Sequence, residues 1–128
     1  MFKYLVIGLG GAIGSAARYY ISGLDYKFSK GVFPVSTFLI NASGSFLIGF
    51  LWGVFDRFAI SPVIRLFIFI GILGGYTTFS TFSLENLNLM RDGEWKIALG
   101  NIVLSNAAAL LSVFAGFVLA RCFLNFAD

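Results

Sequence analysis

The chain has 128 residues, nine of them Lys or Arg against six Asp or Glu for a net charge of +3, with 59% hydrophobic and only 12% charged residues. A mean hydropathy of +0.90 excludes a soluble domain of ordinary composition and indicates a membrane protein. The absence of histidine and the single cysteine, Cys122, exclude imidazole metal sites, a histidine general base and an intrachain disulfide.

Charge-free stretches cover residues 4–17, 35–55, 66–84 and 97–120. A bilayer core takes about 20 residues of helix, so the last three can span outright, while the first must extend to take in Arg18. The expected fold is an all-α membrane protein with four transmembrane helices, at about 2–22, 35–55, 63–90 and 95–123, in a single domain over residues 1–128. The N-terminal lysine, apolar run and SAA also fit a cleavable signal peptide. Glycines at 8, 10, 11 and 14 favour a packing helix instead. The polar segment GLDYKFSKGVFP is predicted to be a loop, with Pro34 opening the second helix. Asp56, Arg57 and Ser61-Pro62 form the next loop, and RDGEW at 91–95 closes the third helix.

Inside that third helix lies GGYTTFSTFS, residues 74–83. Gly74 and Gly75 relax a helix, and β-branched Thr77 and Thr78 support it only modestly, so a break is expected near 74–78. Non-helical backbone at membrane depth is tolerated where it is buried in protein or lines a cavity. Its freed carbonyls suit a cation, and a free helix N-terminus suits an anion.

The charges give no clear orientation. Lys3, Arg57, Arg65 and Arg121 fall on one side of a four-span topology, and Arg18, Lys27, Lys30, Arg91 and Lys96 on the other. Short loops ordinarily show a positive-inside bias. Either one charge dominates insertion or the chain inserts both ways. Small-residue pairs at Gly10/Gly14, Ser45/Gly49, Gly71/Gly75 and Ser112/Gly116 allow close helix approach and suggest an oligomer.

Polar groups within the spans are the candidates for function. Thr37 and Asn41 share one face of the second helix at i and i+4, and Asn101 and Ser105 repeat the spacing on the fourth. They are either interhelical glue or a pore lining. The charge-free parts of the spans hold no carboxylate, the nearest being Glu85 just after the interrupted stretch, so the donors suit an anion better than a cation. Phe79 and Phe82, at i and i+3 with Ser80 and Thr81 between them, either pack against neighbours or offer positive ring edges to an anion. Arg18 either snorkels to the interface or gathers anions at a pore mouth. No phosphate loop, nucleophile elbow or catalytic carboxylate pair is present, so no enzyme is expected, and nucleic acid is not an expected partner.

GGYTTFSTFSLE at 74–85, with GLGGAIGSAARY and TFLINASGSFLIG earlier, closely resembles the Fluc (CrcB) fluoride channel family over essentially the whole chain. The resemblance implies a dual-topology antiparallel homodimer in a bacterial cytoplasmic membrane, with two fluoride pores that export the ion passively. It implies a structural Na+ held by the backbone carbonyls of Gly74 and Thr77 from both subunits. It also implies pore roles for Asn41, Thr37, Phe79, Ser80, Thr81, Phe82 and Ser105, a vestibule role for Arg18, and Glu85 as the acid after the signature. On the fourth helix, Asn101, Ser105 and Ala109 stand where some members carry a tyrosine and then serines. The rival readings are a small multidrug-resistance-type exporter, which needs an acid that the first helix lacks, and a non-transporting scaffold subunit.

Overall fold

The computed structural model describes the backbone of residues 1–28 and 31–126, with side chains apart from 24–28. All regular structure among the described residues is helical. Helix α1 (Phe2–Phe28) and α2 (Val35–Phe55) are followed by the single turn α3 (Pro62–Arg65). It runs through a π-helical stretch, Leu66–Leu73, into α4 (Gly74–Tyr76); after a break come α5 (Phe79–Arg91) and α6 (Trp95–Phe126). Among the described residues, three helical stretches are long and apolar enough to cross a membrane: Val35–Phe55, Pro62–Arg91 and Trp95–Phe126.

Helix α1 continues beyond its expected end at residue 22 and takes in part of the predicted loop. Gly23 alone costs only about 1 kcal/mol in a helix, and no second glycine or proline follows before Gly31. Lys30 and the side chain of Lys27, both counted in the charge balance, lie outside the described residues.

The turns follow from local chemistry. Ser61 caps α3, its Oγ accepting from the Ile64 amide at 3.3 Å, with Pro62 at the first helical position. Arg65 reaches back to the end of α2, donating to the Phe55 carbonyl at 2.6 Å. Its guanidinium lies 6.0 Å from the Trp52 ring centre and 5.7 Å from that of Phe55. At the end of α5, the Gly93 amide bonds the Met90 carbonyl and the Glu94 amide bonds Leu89, a Schellman closure. The closure requires the positive φ of Gly93, +83°.

The helices pack as two pairs, α2 against α6, and α1 against the π-helical stretch and α4, with α5 laid on α6. A Cβ on Gly14 would collide with the Ile72 carbonyl, and one on Gly10 would lie 2.6 Å from that of Phe67. At the other crossing, a Cβ on Gly49 would meet the Val113 carbonyl and one on Gly116 the Phe46 carbonyl. These small residues are thus spent on contacts within one chain, which removes them as an argument for an oligomer. Outside, Leu104, Leu111 and Phe114 are exposed, while Asn101 is fully buried. Apolar exterior and polar interior are what lipid as solvent selects.

Candidate functional site

The third helix breaks at Thr77 and Thr78, both extended, with φ/ψ of −77°/156° and −150°/122°. The expected glycines are not the cause. Gly74 and Gly75 are helical, and a Cβ on Gly75 would lie 2.7 Å from the Gly11 carbonyl, so its smallness serves the α1 crossing. The break is held from α2. The Asn41 Nδ2 donates to the Thr78 carbonyl at 2.9 Å, and the Thr78 amide donates to Asn41 Oδ1 at 2.8 Å. One side-chain amide thereby satisfies both backbone groups of Thr78, as a neighbouring peptide would.

Beyond the break, Thr78 starts α5 as its N-cap, its Oγ accepting from the Thr81 amide at 3.2 Å and donating to the Thr81 hydroxyl at 3.1 Å. Loss of such a cap costs about 1 kcal/mol. Thr78→Ala is therefore expected to lower the thermal midpoint in detergent, and Thr78→Ser to restore it.

Break and cap face an open cavity of about 320 Å³ lined by Asn41, Thr77, Thr78, Phe79, Phe82 and Ser105 among others. The Phe79 and Phe82 rings lie 5.4 Å apart at 40°, Phe82 buried and Phe79 largely exposed at the rim. Thr37 is buried one turn before Asn41, and its hydroxyl donates to Glu85 Oε1 at 2.6 Å. Glu85, just beyond the charge-free part of the third span, thus reaches the second helix. Arg18 approaches the break from α1, with Nη1 donating to the Thr77 carbonyl at 3.4 Å. Ser80 and Thr81, in the first turn of α5, are exposed.

The Asn41, Phe82 and Ser105 side chains therefore line one cavity at the third-helix break, and the Thr37–Glu85 pair joins α2 to α5 outside that lining. Asn101 is different: it is 1% exposed and stands behind Ser105, away from the cavity lining. Its neighbour Asn86, also buried, was not singled out from sequence. The signal was there, since Asn86 stands four residues after Phe82 and therefore on the same face of α5. Ser43 is likewise engaged, its hydroxyl 2.9 Å from that of Tyr76.

Residues 5–117 match the protein family described as CrcB-like protein, Camphor Resistance (CrcB). The chain belongs to the CrcB family. Among CrcB relatives, it is 52% identical over 120 residues to the fluoride-specific ion channel FluC of Methylocella silvestris, covering 91% of this chain and 92% of that one. Identity to the FluC of Parabacteroides distasonis is 42%, with 94% of each chain covered. With that of Pyrococcus abyssi it is 42%, over 91% of this chain and 94% of the relative. These CrcB relatives are named as channels and not as enzymes. The apolar helices and CrcB membership together make the chain a multi-pass membrane protein.

Proposed function

We propose that the chain is a fluoride-selective channel that lets the ion leave the cell passively across the cytoplasmic membrane of a bacterium. The observation that carries this is the helix break opened onto a cavity by Asn41. There, the N-terminal end of α5 and the rings of Phe79 and Phe82 stand together, with the hydroxyls of Ser80 and Thr81 beside that of Thr78. The N-terminal end of a 13-residue helix carries a partial positive charge and amides without intrahelical partners. Ring edges add positive potential without a formal charge. A small, strongly hydrated anion loses water stepwise to such groups and, held by dipoles rather than by an ion pair, can leave again. Fluoride is favoured over other anions because the nearly full-length relatives are named fluoride-specific.

In this reading α1 is the fourth membrane span, and the open cavity is closed by a second copy in opposite orientation, giving two pores per dimer. Balanced charges on the two sides support dual insertion. The exposed Phe79 gains cover at such an interface.

A structural Na+ fits the donor set. The Thr78 amide, which would bond the Gly74 carbonyl in a continuous helix, goes to Asn41, and the Thr81 amide, due to the Thr77 carbonyl, goes to the Thr78 hydroxyl. Gly74 and Thr77 therefore offer uncharged oxygens of the kind that hard cations take, the Thr77 carbonyl keeping one lone pair beside its long bond from Arg18, and a symmetric partner would double them. Bound there, the ion would supply a fixed positive charge between two breaks. Arg18, already beside Thr77, supplies positive charge on the α1 side.

The test is efflux from liposomes loaded with fluoride or chloride. Fluoride efflux without chloride efflux, with Phe82→Ile reducing the fluoride rate by tenfold or more, about the loss of a good contact to an anion, is the expected result. No fluoride efflux from correctly inserted protein would overturn the channel and favour a scaffold subunit.

A further inference from the structure

Behind the cavity wall, a chain of buried side chains links Phe82 on α5 to Ser105 on α6. Asn86 Nδ2 donates to the Phe82 carbonyl at 2.8 Å, Asn101 Nδ2 donates to Asn86 Oδ1 at 3.1 Å, and Ser105 Oγ donates to Asn101 Oδ1 at 2.8 Å. Exposures are 5% for Asn86, 1% for Asn101 and 8% for Ser105. Of the three, only Ser105 lines the cavity.

The direction of this chain is set at its far end. A backbone carbonyl can only accept, so Asn86 must turn its NH2 group toward Phe82 and its oxygen toward Asn101. Asn101 must then present its NH2 group to Asn86 and its oxygen to Ser105. That leaves the Ser105 hydroxyl as the donor. Reversing the Asn101 amide alone would oppose two carbonyl oxygens in a buried place, which costs more than the bond it would make.

We infer that Asn86 and Asn101 are positioning residues that hold the Ser105 proton away from the cavity, so that Ser105 faces it with lone pairs. A hydroxyl has one proton and two lone pairs, and here the proton is committed. Ser105 is thus an acceptor in the cavity wall. An anion passing it is repelled by direct contact and keeps a water between, with that water donating to Ser105. Desolvation is one-sided: the wall made by α2 and α5 replaces water, and the α6 wall retains it. The proton's direction does not depend on what the cavity carries, whereas its effect on permeation rests on the channel reading above.

The test has two arms on the full-length protein in detergent or liposomes. In NMR spectra with labelled asparagine, Ser105→Ala is expected to shift the Asn101 side-chain carbonyl carbon, which loses its donor, and to leave the Asn101 NH2 signals in place. Ser105→Cys, a weaker donor, should shift the same carbon by less. A shift of the NH2 signals with the carbonyl unmoved would mean the opposite direction and overturn the inference. In efflux, Asn101→Ala, which alters no cavity-lining side chain but frees the Ser105 proton to turn toward the cavity, is expected to change the fluoride rate by about tenfold, the worth of a donor to an anion. A rate within about twofold of the natural one would overturn it as well. If the natural chain passes no fluoride, the channel reading fails, and the NMR arm still decides the proton's direction.

Discussion

Asn41→Asp will abolish fluoride efflux and lower the thermal stability of the protein. Asn41 serves Thr78 with a donor and an acceptor at once, at 2.9 and 2.8 Å. An aspartate keeps the acceptor for the Thr78 amide but sets a carboxylate oxygen against the Thr78 carbonyl. The lost bond and the half-buried charge facing an oxygen together cost about 3 kcal/mol or more, a factor above 100 in an equilibrium. The break is then no longer held open toward the cavity, and α5 loses the geometry of its N-terminal turn. A negative charge also now stands in a wall that an anion has to pass, and in a low dielectric such repulsion is large. Both effects act in one direction. Efflux and thermal unfolding of Asn41→Asp beside the natural chain would check this, with natural values in both showing that Thr78 is held by something other than this amide.

That contact also explains how far the sequence could be read. The three apolar spans follow from runs without charge, and the turns around Ser61-Pro62 and Asp92-Gly93 from residues whose local geometry is nearly obligatory. A break near 74–78 is suggested by the weak helix propensity of its glycines and threonines. Within that range the chain stays helical through both glycines and breaks at Thr77 and Thr78, because the decisive group comes from α2, 37 positions away in sequence. Propensity is a sum over neighbours, and a side chain from another helix does not enter it. The same limit applies to Asn101 and Ser105. Their i, i+4 spacing places both on one face of α6, but only the packing of α5 decides that Asn101 is covered by Asn86 while Ser105 reaches the cavity. The end of α1 shows the converse, since a polar composition suggests a loop where nothing in the backbone stops the helix.

The second large effect is expected at Gly14. Its ideal Cβ would fall on the Ile72 carbonyl and within 2.8 Å of the Tyr76 amide. Both are backbone atoms of the facing helix, so no side chain can swing aside. Gly14→Ala therefore has to push α1 away from the π-helical stretch and α4, and overpacking of this kind costs about 1–3 kcal/mol, occasionally more. Lipid offers no hydrophobic drive to restore the crossing, because its attraction comes from the close packing that the methyl group prevents. Arg18 stands four residues after Gly14, on the same face of α1, and its 3.4 Å contact with the Thr77 carbonyl is already long. A shift of the helix removes that contact first, so the variant is expected to lose positive charge at the break as well as stability. Gly8→Ala is the matched control, since its Cβ would have nothing within 4 Å and alanine is the better helix former. The thermal midpoint and fluoride efflux should both fall in Gly14→Ala and hold in Gly8→Ala. Equal behaviour of the two would mean that α1 does not approach α4 this closely in the membrane, and that Arg18 reaches the break by another route.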